Sequence, residues 1–104
     1  MKQEDMIYFH ADDYGVSKAQ AERILSCHKE GVLNSISVIP NTPNLKVCLE
    51  RLDAEASQIK IRRVLHLNFV EGKPVASAQQ VDMLVDETGF FSVSFIKLLL
   101  WSFV

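Results

Sequence analysis

The chain has 104 residues, of which 48% are hydrophobic and 23% are charged, a balance typical of one small globular domain. Its formal net charge is −2, and both signs are interspersed, so there is no electrostatic basis for binding nucleic acid or an anionic membrane. The N-terminus lacks the apolar core of a signal peptide. Cys27 and Cys48 occupy apolar positions of predicted helices, so we expect a cytoplasmic protein with two buried, free thiols.

The first predicted elements are a strand and a helix. Residues 6–10 form an apolar run that predicts a buried strand. Ser17 and Gln20 match a capping box, and apolar residues recur at helical spacing after them. The sequence therefore predicts a helix over residues 18–30, with Gly31 as a left-handed terminator.

The same alternation continues along the next forty residues. Residues 35–39 alternate polar and β-branched side chains and predict a second strand. Thr42 and Pro43 resemble an N-cap followed by proline at the first position of a second helix. Residues 62–69 contain a third strand. Strands that alternate with helices indicate an α/β fold in which crossover helices connect parallel strands.

Beyond Asn68 the pattern becomes irregular. Residues 71–74 and 86–89 are turn clusters, and residues 94–104 predict an apolar terminal helix. That helix is too short to cross a bilayer, which needs about 20 apolar residues. It is typical of a helix that is buried, and we expect the chain to be part of a larger protein that has been cut short.

Asp12 and Asp13 are the most informative residues for chemistry. They follow the first apolar run, and active sites of α/β proteins lie at the carboxyl ends of the strands. Adjacent residues of a strand point in different directions, so one carboxylate can bind a metal while the other transfers a proton. The alternative is an exposed acidic turn that only caps the next helix.

Three further polar residues are candidates for the same site. His66 lies near the end of the third strand, where it can approach Asp13 and serve as a metal ligand, or it is a satisfied core histidine. Asn68 points to the same side if that strand continues, and it can hold a water, a ligand or the loop. His10 is expected to face away from Asp12, as a wall of the pocket or a residue behind the ligands.

Four ordered segments give the chain a resemblance to a known family. Over about residues 6–100 it resembles the amino-terminal part of the YdjC-like carbohydrate deacetylases, which include the chitooligosaccharide (diacetylchitobiose) deacetylases. The segments that carry the resemblance are His10–Ser17, Gly31–Ser37, His66–Pro74 and Leu84–Phe91.

The resemblance implies a (β/α)-barrel-like fold and a divalent metal bound by one Asp and two His residues. Asp13 matches the metal-binding Asp, His66 matches the first metal-binding His, and Asp12 matches the general base. The implied cation is Mg²⁺, with Zn²⁺ as the second choice. The second metal-binding His belongs to a later block. A complete barrel takes on the order of 250 residues, so residues 1–104 correspond to the first three or so β/α units of one barrel domain, with no second domain.

By the same resemblance, the function is metal-dependent removal of acetyl groups from N-acetylated sugars, with a small-molecule or oligosaccharide substrate. We expect the chain alone to have little or no deacetylase activity, because part of the ligand set is missing. The alternative is a non-catalytic fragment that associates with itself as a homo-oligomer or binds sugar without turnover.

Overall fold

The computed structural model describes residues 7–56 and 60–103. The chain divides into two compact units, of which the first ends at His66 and the second begins at Leu67. The elements, in chain order, are β1 (His10–Tyr14), α1 (Lys18–Glu30), β2 (Ser35–Val38), α2 (Leu45–Ala56), β3 (Arg62–Leu65) and α3 (Phe95–Trp101).

The first unit is built on a three-stranded parallel sheet with the order β1-β2-β3. Ser35 of β2 pairs with His10 on one side and with Arg62 on the other. The prediction of an α/β fold with parallel strands is confirmed. Because the strands are parallel, their carboxyl ends meet at one edge of the sheet, where polar side chains from all three can converge.

The predicted strand at residues 6–10 is wrong in its position. Met6 lies outside the described residues, and the apolar side chains of Ile7–Phe9 are 72%, 40% and 49% exposed. β1 instead begins at His10, where pairing with Ser35 starts. The bounds of a strand depend on the hydrogen bonds of its partner, and a run of apolar residues does not report them.

The first helix has the predicted bounds. The Ser17 hydroxyl accepts a hydrogen bond from the Gln20 amide over 3.1 Å and caps α1. Gly31 ends the helix with φ −142°, so the predicted left-handed terminator is wrong. The space at this position is tight, because a Cβ atom would lie 3.0 Å from the Cys27 carbonyl oxygen.

One cluster of buried side chains forms the core of the first unit. Its members are Tyr14, Ala21, Ile24, Leu25, Ile36, Cys48 and Leu52. Both cysteines are free, but only Cys48 is buried, so the expected burial of Cys27 is wrong. At 100° per residue, Cys27 lies roughly 110° round α1 from the centre of the buried face.

The residues before α2 hold the loop that follows β1. The Thr42 hydroxyl donates to the Gly15 carbonyl oxygen over 2.5 Å, and the Asn44 amide donates to the Val16 carbonyl oxygen over 3.0 Å. The helix begins at Leu45, so the prediction of Thr42 as its N-cap is wrong. Its hydroxyl is engaged by another part of the chain, which local sequence cannot reveal.

The second unit contains the predicted turn at residues 86–89. Asp86 Oδ1 accepts hydrogen bonds from the Thr88 amide and hydroxyl, and Gly89 adopts φ +82°. The Thr88 hydroxyl is the largest cause of the lowered pKa of the Asp86 carboxyl. The turn is closed by an antiparallel bridge between Val85 and Phe91.

The terminal helix is shorter than expected. α3 begins after Ser94, whose hydroxyl accepts a hydrogen bond from the Lys97 amide. Val104 lies outside the described residues. None of the α3 side chains is buried within the described residues, and the expected burial of this helix in a larger protein stays a prediction. In residues 7–56 and 60–103, no helix has the length and hydropathy needed to cross a membrane.

Candidate active site

A β-bulge in β1 places the two adjacent carboxylates. Ala11 pairs with Ile36 and Tyr14 pairs with Val38, so β1 contains one more residue than β2 between these pairs. Asp13, inside the bulge, has φ +65°, a left-handed conformation that Asp and Asn adopt more readily than most residues. The bulge breaks the alternation of side chains expected from a regular strand.

As a result, both carboxylates reach groups at the same edge of the sheet. Asp12 Oδ1 accepts a hydrogen bond from the Ser37 hydroxyl over 3.1 Å. Asp13 Oδ1 lies 3.2 Å from His66 Nδ1, and that same nitrogen lies 3.0 Å from Ser37 Oγ. The two carboxylates thus contact different side chains, Ser37 for Asp12 and His66 for Asp13, at one edge of the sheet.

His66 lies directly after β3 and extends its pairing with β2. Its backbone amide donates to the Val38 carbonyl oxygen over 2.9 Å, which fixes the residue at the carboxyl edge. The side chains of His66 and Asp13 are 33% and 51% exposed. His66 is therefore accessible to solvent and in contact with a carboxylate, unlike a histidine enclosed in an apolar core.

His10 contacts Asp12, so the prediction that it faces away is wrong. His10 Nε2 lies 3.3 Å from Asp12 Oδ1, and His10 Nδ1 lies 2.7 Å from Ser35 Oγ. Residues two apart on a strand share a face, which is why the two side chains meet. Each carboxylate of the pair thus has one imidazole beside it.

Asn68 has a local role in the second unit. Its side-chain oxygen Oδ1 accepts hydrogen bonds from the Val70 and Glu71 amides, and its side-chain nitrogen Nδ2 donates to the Glu71 carbonyl oxygen over 2.9 Å. β3 ends at Leu65, so the strand does not continue to Asn68 as the sequence reasoning required. Of the three roles considered for this residue, these hydrogen bonds correspond to holding the loop.

Ser35 and Ser37 also belong to this polar cluster, although the sequence alone did not mark them as site residues. Both are buried, with 0% and 5% exposure, and both lie on the face of β2 opposite to Ile36, which packs in the core. The available signal was the alternation of serine with β-branched residues in the second predicted strand. Both faces of a parallel sheet are usually buried, so this alternation indicates that the serines lie on a second, polar face of the sheet that is also buried.

Tyr14 anchors the end of β1 beneath these residues. Its phenol is fully buried and donates to the Cys48 carbonyl oxygen of α2 over 2.6 Å. Burial raises the pKa of this phenol from 10.0 to about 12, and the nearby Cys48 thiol adds to the rise. The group stays protonated under ordinary conditions, so it supports the carboxyl edge without exchanging protons.

The donors at this edge fit part of a cation site. Asp13 Oδ1 lies 3.2 Å from Nδ1 of His66, so a carboxylate and an imidazole, two ligand types that divalent cations accept, lie side by side. In the part of the chain that the structure describes, no group of three or more His, Cys, Asp or Glu residues could hold a metal.

The chain is similar to a described protein family and to carbohydrate deacetylases from two bacteria. The family model described as "YdjC-like protein" matches residues 6–100. A carbohydrate deacetylase of Thermoanaerobacter pseudethanolicus is 33% identical, over 83% of this chain and 33% of the relative. A carbohydrate deacetylase of Enterococcus faecalis is 32% identical, over 82% of this chain and 32% of the relative.

A solved structure shows the same relationship in three dimensions. The crystal structure of a putative cellobiose-phosphate cleavage protein from Enterococcus faecalis V583 superposes with a TM-score of 0.77 and 30% identity. The match covers 86% of this chain and 34% of that protein. The chain therefore spans about a third of the length of these relatives.

Proposed function

This chain belongs to the YdjC-like protein family, and from that premise we propose that it carries part of the active site of a metal-dependent carbohydrate deacetylase. The proposed reaction removes acetyl groups from N-acetylated sugars of the chitooligosaccharide type. The residue roles are Asp12 as general base, and Asp13 and His66 as ligands of a divalent cation, with Mg²⁺ favoured over Zn²⁺.

One observation carries the proposal. Asp13 Oδ1 and His66 Nδ1, 53 positions apart in sequence, lie 3.2 Å from each other at the carboxyl edge of the sheet. Asp12 is linked to the same histidine through Ser37. This arrangement offers a cation-binding pair with a carboxylate beside it, in a chain whose relatives include carbohydrate deacetylases.

The Asp12 carboxylate is suited to accept a proton from water. Its side chain is 72% exposed, so water and a sugar amide can reach it. Within the described residues, its contacts with Ser37 and His10 both involve Oδ1, which leaves Oδ2 to take the proton. A divalent cation held by Asp13 and His66 would supply Lewis acidity toward the acetamide carbonyl oxygen and toward water.

The rest of the site would come from outside these residues. Catalytic zinc commonly has three protein ligands, and Mg²⁺ retains several waters. We propose that the sheet forms the first part of a (β/α)-barrel-like fold and that the further histidine implied by the family lies in a later part. We therefore expect weak cation binding by this chain.

Cation binding is tested with Mn²⁺ as the probe. Mn²⁺ is paramagnetic, so it is expected to broaden the ring signals of His66 in an NMR titration. The signals of His28, which lies in the last turn of α1, should stay sharp. Asp13→Asn should abolish the broadening. Asp53→Asn removes a comparably exposed carboxylate, 66% against 51% for Asp13, at the cost of one surface ion pair. It serves as the matched control and should retain the broadening.

Equal broadening of all histidines, or broadening that persists in Asp13→Asn, would contradict the proposed cation site. Acetate release from N-acetylated chitooligosaccharides in the presence of Mg²⁺ or Zn²⁺ tests turnover. We expect little or none from this chain. A kcat in the range usual for enzymes, roughly 1–10³ s⁻¹, would show that the described residues suffice and that the missing-ligand argument is wrong.

A second candidate function rests on the exposed apolar side chains of α3. Phe95, Ile96 and Leu100 are 72%, 67% and 61% exposed, and apolar surface of this kind marks interaction sites. A non-catalytic chain could cover it by association with a second copy, or bind sugar without turnover. Sedimentation of the chain as a dimer that Leu100→Lys dissociates, together with no response to Mn²⁺, would favour this candidate.

A further inference from the structure

We propose that Ser37 is a positioning residue that joins Asp12 and His66 into one hydrogen-bonded unit. The inference rests on the proposed function for the roles of these two side chains. It concerns the serine that lies between them, which the sequence reasoning did not single out.

The hydrogen-bonding capacity of the hydroxyl supports this role. Ser37 Oγ has one proton and two lone pairs, and it donates that proton to Asp12 Oδ1 over 3.1 Å. One of its lone pairs then accepts a hydrogen bond from His66 Nδ1–H over 3.0 Å, which leaves Nε2 as the ring nitrogen for a cation. Ser37 is only 5% exposed, and a buried hydroxyl is costly unless it is hydrogen-bonded. Both contacts therefore restrain the hydroxyl and, through it, the two side chains.

The position of Ser37 in the sheet explains why it can connect them. Asp12 lies on β1 and His66 follows β3, and the strand order places β2 between the two. β1 and β3 are separated by two strand spacings, about 9–10 Å. A short polar side chain on the central strand can reach toward both neighbours, whereas an apolar side chain there would leave Asp12 without this donor.

A second serine on the same face shows that the arrangement is repeated. Ser35 lies two residues before Ser37, and its Oγ is 2.7 Å from His10 Nδ1. Ile36, between them, packs on the opposite face in the core. β2 thus directs one hydroxyl at each imidazole, and only that of Ser37 also holds a carboxylate.

The test is a double-mutant cycle monitored at the ring nitrogens of His66 by NMR. Asp12→Asn is expected to shift the His66 signals when Ser37 is present. In the Ser37→Ala background the same substitution should leave them unmoved, because the connection is lost. Ser37→Thr, which restores a hydroxyl, should recover the response. The His28 signals serve as an internal reference, because the His28 ring is hydrogen-bonded to the Leu33 carbonyl oxygen and not to Ser37.

Ser17→Ala is the matched control for folding. It also deletes one hydroxyl from the first unit and removes the cap of α1, but it leaves the site contacts intact. The Asp12→Asn shift should persist in that background. An equal shift in the Ser37→Ala background would show that Asp12 acts on His66 directly and would overturn the proposal.

Titration with Mn²⁺ separates this inference from the proposed function. Residues that hydrogen-bond to metal ligands affect metal affinity by about 10- to 100-fold. Ser37→Ala should therefore raise the Mn²⁺ concentration that half-broadens the His66 signals by about that factor. Unchanged Mn²⁺ affinity would count against the proposal. If Mn²⁺ never broadens His66 in any variant, the proposed function fails, and the double-mutant cycle still decides whether Ser37 connects the two residues.

Discussion

The buried phenol of Tyr14 predicts a specific loss of stability at alkaline pH. Burial raises its pKa from 10.0 to about 12 in the folded chain. The folded chain therefore retains the phenol proton between pH 10 and 12, whereas the unfolded chain releases it. Since the unfolded state binds fewer protons in this interval, the free energy of unfolding falls as the pH rises through it.

The size of the effect follows from the shift. Each pKa unit corresponds to 1.36 kcal/mol, so a shift of about two units removes about 2.7 kcal/mol once the pH exceeds both values. By pH 11.5 the expected loss is about 2 kcal/mol on the same basis. Tyr14→Phe keeps the ring but removes the hydroxyl, and with it the 2.6 Å hydrogen bond to the Cys48 carbonyl oxygen, which contributes about 1 kcal/mol.

Urea denaturation of both chains from pH 8 to pH 11.5 measures this difference. The unsubstituted chain should be about 1 kcal/mol more stable than Tyr14→Phe at pH 8 and about 1 kcal/mol less stable at pH 11.5. Tyr8→Phe, at a 40% exposed phenol, should not reproduce this crossing. Parallel curves for the unsubstituted chain and Tyr14→Phe would refute the reasoning.

Four further substitutions test the core of the first unit and two glycine turns by urea denaturation. Leu52→Ala, at a fully buried position, should lower the free energy of unfolding by about 2–5 kcal/mol. Leu65→Ala, at a 65% exposed position, should change the free energy of unfolding by about 0.5 kcal/mol or less. Equal losses for Leu52→Ala and Leu65→Ala would contradict the assigned core. Gly15→Ala should cost about 1–3 kcal/mol, because Gly15 has φ +113° and its Cβ would lie 3.4 Å from the Ile39 carbonyl oxygen. Gly89→Ala, where φ is +82° in open space, should cost less.

The parts of the fold that the sequence predicted are those determined by local interactions. The bounds of α1 follow from the Ser17 cap and from helical periodicity, and both signals lie within a few residues of the helix. The start of β1 at His10 could not be predicted in this way, because it depends on pairing with Ser35, 25 positions along the chain. Thr42 illustrates the same limit, since its hydroxyl is engaged by the Gly15 carbonyl oxygen.

The candidate site shows a similar division. Residue type and order were enough to single out Asp12, Asp13 and His66, because carboxylate and imidazole groups at strand ends are typical of catalytic sites. The detailed geometry was not predictable. It depends on the bulge that turns Asp13 to φ +65° and on the hydroxyl of Ser37, and both arise only when β1 pairs with β2.

The alternation along β2 also has a consequence for folding. If β2 slipped by one residue, its serines would turn toward the helices, and Ile36 would face Asp12 and His66. Serine hydroxyls without hydrogen-bond partners would then enter the core, and the apolar Ile36 would lie against the polar side chains of Asp12 and His66. The misalignment would therefore be unfavourable on both faces of the strand. The hydrogen bonds at the carboxyl edge therefore favour a single alignment of the strands, independently of any reaction that takes place there.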